Sequence, residues 1–259
     1  MPAFDPAAAA RFIADAHRTR AAYRNLPDDI GPRTVAEAYA SQEALQPLWE
    51  PLYGKVAGLK IATTTKVMQA LMGIDHPCGG MIYARRIHAS PATIRLDGFK
   101  HMVVECELAV RLGTDLPGVA GGYTRESVRP AIRAVMPAFE LIEDRNAVYK
   151  ATRALSLIAD NAWNGGIVLG AETALAKSLE LDGIAGTLSA GGTTRGAGKT
   201  DDPLGALAWV ANLAIERGRP MTAGMVVITG SVIPTLAIAP GERFEFTLAG
   251  LGTVAMTGA

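Results

Sequence analysis

Charge of either sign is not in excess in this 259-residue chain: 25 Lys and Arg stand against 25 Asp and Glu, for a formal net charge of zero. A surface so balanced carries no electrostatic footprint for nucleic acid or an anionic membrane. Cysteine is scarce. Cys78 and Cys106 are too few for a disulfide framework and have no metal-ligand spacing, which fits a reducing compartment. The four histidines, His17, His76, His88 and His101, share no i, i+4 spacing and give no zinc pattern. There is no Gly-x-Ser-x-Gly elbow, and neither cysteine has an obvious activating base nearby, so classical nucleophilic hydrolysis is disfavoured. No run reaches the roughly 18 apolar residues of a membrane span, and the opening Met-Pro-Ala-Phe-Asp-Pro lacks the basic and apolar regions of a secretory signal. The expectation is a soluble, cytoplasmic protein with neither nucleic acid nor membrane as partner.

What the chain does have is 49% hydrophobic residues over a length that buries a real core. Asp5 followed by Pro6 is a cap and first-turn pair for an opening helix, with Phe12, Ala16 and Tyr23 on one face and His17, Arg18, Arg20 and Arg24 on a solvated one. Thr34 and Glu37 form a capping box for a second helix carrying Val35, Ala38, Tyr39, Leu45, Leu48 and Trp49. A strand over 55–62 and a short helix over 66–72, stopped by Gly73, follow. Beyond Pro77 the texture becomes short β-branched runs between glycines, giving strands over 92–96, 99–112, 167–169, 184–188, 225–229, 243–248 and 253–256. Helical segments intervene over 125–134, 153–161 and 204–216, the last with Pro203 at its start and Gly218 past its end. The fold class is therefore α+β: residues 1–78 a smaller helical N-terminal region, residues 79–259 a β-rich mixed domain.

Carboxylates seldom sit inside apolar strands, and here three do. Glu105 and Glu107 lie two apart in His-Met-Val-Val-Glu-Cys-Glu-Leu-Ala-Val, so an extended backbone projects both from one face, about 6 to 7 Å apart. Glu140 interrupts Met-Pro-Ala-Phe-Glu-Leu-Ile. Like charges so close repel unless something positive lies between them, and burying unpaired carboxylates is expensive. A hard dication, Mg²⁺ or Mn²⁺, takes carboxylate oxygens and keeps water sites that a chelating substrate can occupy. The competing reading is a half-buried strand with glutamates on its wet face.

Other positions carry two readings each. Lys60, in Gly58-Leu59-Lys60-Ile61-Ala62-Thr63-Thr64-Thr65, either anchors a carboxylate and moves protons or snorkels from a strand end. Thr64 and Thr65 contact a ligand or cap the next helix. Asp160-Asn161 is a substrate-proximal polar pair or a C-terminal turn, and Ser231 touches a ligand or sits in a β-turn. The glycine-rich stretch over 191–200 fails the phosphate-loop spacing, because Thr193 stands where glycine is required, and reads as a surface loop.

In order and separation, several of these pieces resemble the fumarylacetoacetase-like superfamily, in its 2-keto-4-pentenoate hydratase and 4-oxalocrotonate decarboxylase branch. The pieces are Gly58-Leu59-Lys60-Ile61-Ala62, Glu105-Cys106-Glu107, Met136-Pro137-Ala138-Phe139-Glu140, Ile158-Ala159-Asp160-Asn161-Ala162, Pro203-Leu204-Gly205-Ala206-Leu207-Ala208-Trp209, Thr229-Gly230-Ser231 and Gly250-Leu251-Gly252-Thr253-Val254. The resemblance implies a β-rich mixed roll or sandwich as catalytic domain, with Mg²⁺ or Mn²⁺ held by Glu105, Glu107 and Glu140. It implies Lys60 as the principal catalytic or anchoring residue, Thr64, Asp160 and Ser231 as substrate contacts, a small 2-oxo acid or 2-hydroxydienoate as substrate, and a homo-oligomer. The implied reaction is hydration of a 2-hydroxyalka-2,4-dienoate in aromatic compound degradation. Decarboxylation of a 2-oxo-enedioate, C–C hydrolysis of an acylpyruvate with His17 as base, and a metal-binding or assembly protein without turnover are the alternatives. Two departures from the branch stand out: Gly79-Gly80-Met81-Ile82-Tyr83-Ala84-Arg85-Arg86 lacks an expected acid, leaving Arg85 and Arg86 either to meet a second substrate carboxylate or to stand as a surface arginine pair, and Trp163 replaces a serine.

Overall fold

A computed structural model of the chain describes residues 3–259. It opens with α1 (Pro6–Arg18) and α2 (Val35–Tyr53). Asp5 caps α1, its Oδ1 accepting from the Ala7 N–H at 2.9 Å. The helix stops before Tyr23, and its buried face is Ala9, Ala10 and Ile13. At α2 the Thr34 hydroxyl accepts from the Glu37 N–H at 3.1 Å, but the Glu37 carboxylate turns to the Arg33 N–H at 2.7 Å, so the expected capping box is half formed.

The strand β1 (Val56–Ala62), α3 (Lys66–Met72), β2 (Cys78–Tyr83), β3 (Ile87–Ala89), β4 (Ala92–Ile94) and the long β5 (Met102–Leu112) follow. After α4 (Arg125–Val128) come β6 (Ile132–Glu143), α5 (Ala154–Ala159), β7 (Asn164–Leu169) and β8 (Thr173–Ala174). A hairpin of β9 (Ala185–Ala190) and β10 (Thr193–Lys199), then α6 (Pro203–Glu216), β11 (Val226–Ala237), β12 (Arg243–Leu248) and β13 (Gly252–Gly258) complete the chain. Two expectations are corrected. The helix expected over 125–134 is a single turn that gives way to β6, and the glycine-rich stretch over 191–200 is strand β10 rather than a loop.

The strands form two sheets, an eight-stranded one ordered β2-β1-β11-β5-β6-β7-β3 with β8 also on β6, and a five-stranded one ordered β10-β9-β12-β13-β4. Period-2 alternation gives the large sheet two buried faces. Val104, Cys106, Leu108 and Val110 of β5 join Phe139 of β6 and Phe244 and Phe246 of β12 in the core between the sheets. The Phe139 ring lies 6.5 Å from Phe244 and 6.2 Å from Phe246, within the range of favourable tilted contacts. The intervening positions face the other way, where Ala109, Met136, Ala138, Ile167 and Ile228 cluster with Ile82 of β2. The sheet curls until β2 touches β7, closing a roll around this second cluster.

The helical layer is fastened to the roll. Ala9, Ala10, Ile13, Leu45 and Trp49 share a cluster with Met81 and Tyr83 of β2, and Gln42 donates to the carbonyls of Gly79 (2.9 Å) and Ile158 (2.7 Å). β1 precedes residue 78 yet is an inner strand, paired to β2 on one side and β11 on the other, so a division at that residue runs through the sheet.

Phe139 is the keystone of the inter-sheet core, fully buried against two other rings. Phe139→Ala is expected to lower unfolding free energy by about 3–5 kcal/mol, read from urea denaturation as a fall in midpoint at nearly constant slope.

Candidate active site

β5 and β6 pair antiparallel with Glu105 directly opposite Glu140 and Glu107 opposite Ala138. Alternation turns Glu105, Glu107 and Glu140 onto the roll-interior face, at the end left open by the apolar cluster. One carboxylate oxygen from each lies within 4.8 Å of the others. Glu107 and Glu140 are fully buried and Glu105 is half-buried.

Each glutamate is held by one oxygen. Glu107 Oε2 accepts from the Gly230 N–H at 2.7 Å. Glu140 Oε1 accepts from Asn164 Nδ2 at 2.8 Å and meets Lys60 Nζ at 2.9 Å. Glu105 Oε1 accepts from the Thr235 hydroxyl at 2.6 Å. The remaining oxygens of the two deepest, Glu107 Oε1 and Glu140 Oε2, are buried with no protein donor. Burial, then the charges of Glu140 and Glu105, push the Glu107 carboxyl well above its usual range, and burial raises Glu140 against the opposing pull of Lys60. Three acids that bring one oxygen each within 4.8 Å of the others, two of them with a buried oxygen that has no donor, fit a hard dication that takes oxygen ligands.

Lys60 enters from β1, on the face opposite the core residues Leu59 and Ile61. Its stem passes Gly80 of β2, where a Cβ would come within 3.0 Å of Lys60 Cγ and Cδ and 2.8 Å of the Asn161 carbonyl. Nζ donates to the Ala162 carbonyl at 3.1 Å. Burial works against the ammonium, but Glu140 and Glu105 outweigh it and hold the amine above its ordinary range.

The carbonyl that Lys60 meets comes from a strained stretch. Asn161, Ala162 and Trp163 all lie in the left-handed region, at φ 53°, 45° and 58°. The Asn161 side chain clamps it, accepting from the Met81 N–H at 2.6 Å and donating to the Met81 carbonyl at 2.8 Å. Asp160 holds the other end, meeting His17 Nε2 at 2.7 Å and the Arg145 guanidinium.

Lys60, Glu105 and the Ala162–Trp163 stretch border a cavity of about 450 Å³, within the range of small-molecule sites. Lys60, Glu105, Thr64 and Ser231 line it. Asp160 does not: it is buried, with its two oxygens bound to His17 and Arg145, so its expected substrate contact is replaced by support of the Asn161–Trp163 backbone. His17 is spoken for by Asp160 and stands edge-on to Trp49 at 5.1 Å, away from the cavity lining. Arg85 donates to the carbonyls of Pro51 and Leu52, and Arg86 stacks over Tyr53 at 4.1 Å, so neither reaches the cavity. Sequence reasoning did not single out Asn164, Thr235 or the Gly230 amide. Gly230 adopts φ 117°, which favours glycine, and that backbone turns its N–H to Glu107. Asn164 carried a signal in its place directly after Asp160-Asn161-Ala162-Trp163.

A roll with an inward acid triad at its mouth defines a class, and residues 68–257 match the Fumarylacetoacetate (FAA) hydrolase C-terminal family, to which this chain belongs. It is 30% identical over 253 residues to 2-keto-4-pentenoate hydratase 2 of Dechloromonas aromatica (strain RCB), covering 96% of this chain and 95% of that protein. It is 32% identical over 234 residues to 2-hydroxyhexa-2,4-dienoate hydratase of Comamonas testosteroni, covering 88% of each. Among solved structures it resembles 4-oxalocrotonate decarboxylase from Pseudomonas putida G7, complexed with magnesium and adipate, with TM-score 0.89 and 26% identity over 98% of this chain and 97% of that one.

Asn161→Ala strips the partners from the buried Met81 N–H and C=O and is expected to destabilise the fold by about 2 kcal/mol in urea unfolding. The loosened Ala162 carbonyl should also lower the affinity of the cavity for a 2-oxo acid, measured by calorimetry.

Proposed function

We propose that this protein is a metal-dependent hydro-lyase that adds water to a 2-hydroxyalka-2,4-dienoate, giving a 4-hydroxy-2-oxo acid in the breakdown of aromatic compounds. The observation that carries the reading is the convergence of Glu105, Glu107 and Glu140 on one point, two of them with a donorless buried oxygen, beside Lys60 in a ligand-sized cavity. Relatives named as hydratases, about 30% identical over most of the chain, support the same reaction class.

The residues divide the work. Glu105, Glu107 and Glu140 would hold Mg²⁺ or Mn²⁺. The bound ion supplies a Lewis acid at the 2-oxo end of the substrate, drawing off the negative charge that develops there. Lys60, on the same rim, orients the 1-carboxylate or carries a proton as the dienol ketonises to the 2-oxo-3-enoate that accepts water. Thr64 offers a hydroxyl to the bound acid from the cavity lining, where Ser231 also stands with its own hydroxyl donated to the Ile233 carbonyl at 2.6 Å. Asn164, Thr235 and the Gly230 amide fix Glu140, Glu105 and Glu107 respectively, which restricts the orientation of the three carboxylates. Homo-oligomeric assembly belongs to the same reading, and sedimentation measures it.

A second reading is decarboxylation of a 2-oxo-enedioate, favoured by the similarity to the decarboxylase structure. The same electron sink serves both reactions, so product analysis separates them. With Mg²⁺ the protein should convert 2-hydroxypenta-2,4-dienoate to its hydrated product, and EDTA should abolish turnover. Release of CO₂ from 2-oxohex-3-enedioate without any hydration of the dienoate defeats the hydratase assignment.

Glu107→Gln is expected to weaken Mn²⁺ binding by at least about 100-fold in calorimetry, the scale of losing a ligand or its support. Lys60→Met should keep the ion and reduce kcat by about 10²–10⁴-fold. Full activity in either variant contradicts the assigned role.

A further inference from the structure

The cavity that Lys60 borders is polar on one side and hydrocarbon on the other. Apart from Lys60, Glu105, Ser231 and the threonines at 63–65 and 235, the lining is largely apolar, and Met68, Met72, Ile142, Tyr149, Leu157 and Trp163 form one stretch of it. Met72, Ile142, Leu157 and Trp163 belong to a single hydrophobic cluster, with Met68 and Tyr149 packed against it. The wall is rigid at its centre: Trp163 is 4% exposed and held edge-on by Tyr23 at 5.1 Å and Tyr149 at 5.3 Å. The Tyr149 hydroxyl is engaged, donating to Asp144 Oδ2 at 3.2 Å.

Among the described residues, Lys60 is the one cationic side chain on the lining, and Glu140 already pairs with it. Arg85 and Arg86 point elsewhere. A substrate bound by its 2-oxo acid end at Lys60 and the glutamates therefore lays its far end against methionine, leucine and tryptophan. A second carboxylate there would lose water and gain no charged partner, whereas an alkyl group would bury apolar surface. We propose that this wall selects 2-hydroxydienoates whose far end is a hydrocarbon over those ending in a second carboxylate, with Met68, Met72 and Trp163 as the specificity-determining side chains. The inference rests on the placement of the 2-oxo acid end given under the proposed function.

Two measurements on the intact protein with Mg²⁺ test it. In the first, kcat/KM is compared for 2-hydroxyhexa-2,4-dienoate and 2-hydroxyhexa-2,4-dienedioate, and the methyl-ended substrate is expected to win by at least about 100-fold, the scale on which a site discriminates a polar group it leaves without a partner. In the second, 2-oxohexanoate and 2-oxoadipate are bound without turnover in calorimetry, and the monoacid is expected to bind at least about tenfold more tightly. A diacid used or bound as well as the monoacid overturns the proposal and leaves hydration itself standing. A protein that binds the monoacid with the expected preference but hydrates nothing upholds the wall and sinks the reaction assignment. Met68→Arg, at a half-buried position on the wall, supplies the missing cation and should shift the binding preference toward 2-oxoadipate by about tenfold. An unchanged preference in a folded variant places the far end of the ligand elsewhere and counts against the wall.

Discussion

The structure turns on a buried charge imbalance: three carboxylates face one ammonium inside a protein roll that is otherwise apolar. Charges removed from water need partners, and a single lysine leaves the cluster negative. That constraint accounts for details scattered across the fold. β5 and β6 are in a register that sets Glu105 against Glu140, β11 breaks its pairing around Gly230 so that an amide reaches Glu107, and Gly80 leaves room for the lysine stem. Each glutamate is thereby held through one oxygen, and in Glu107 and Glu140 the other stays buried without a protein donor, which is how a protein prepares a cation site in advance of the cation.

Support for this arrangement lies outside the roll. Three successive non-glycine residues in the left-handed region store roughly 1–3 kcal/mol each, and a segment holds such a conformation only when its surroundings over-determine it. Here Asn161 grips both backbone groups of Met81, while Asp160 ties the segment to Arg145 and, through His17, to α1. The opening helices are thus connected to the reacting end of the molecule by a short chain of hydrogen bonds: His17 to Asp160, along the backbone to Ala162, then to Lys60. Packing of Trp49 and Leu45 against β2 keeps that connection in place.

Much of the chemistry was legible in the residues because strands alternate. Glu105 and Glu107 share a face for that reason alone, and an acid amid Met-Pro-Ala-Phe-Glu-Leu-Ile marked Glu140 before any partner strand was known. The strand that carries Glu140 was harder to read, since both faces are buried and no alternation shows, and Pro137 argues against an inner strand. In the structure Pro137 sits where the neighbour of β6 changes from β8 to β7, a place with no ladder bond for its nitrogen to donate. β10 escaped notice because its glycines serve close approach rather than turning: a Cβ at Gly198 would lie 1.9 Å from the Val232 carbonyl. Asp160 was placed in the site by pattern and lies behind it, because spacing along a chain does not say on which side of a turn a carboxylate emerges.

β1 lies between β2 and β11, in the body of the large sheet, and it brings Lys60 with it. The acids on β5 and β6 and the lysine they face on β1 therefore reach the same spot from strands well separated along the chain. A chain trimmed back to residue 79 would keep all three carboxylates of the cluster and forfeit both their counter-charge and an interior ladder, so the helices and the first strand are inseparable from the chemistry even though none of those three acids belongs to them.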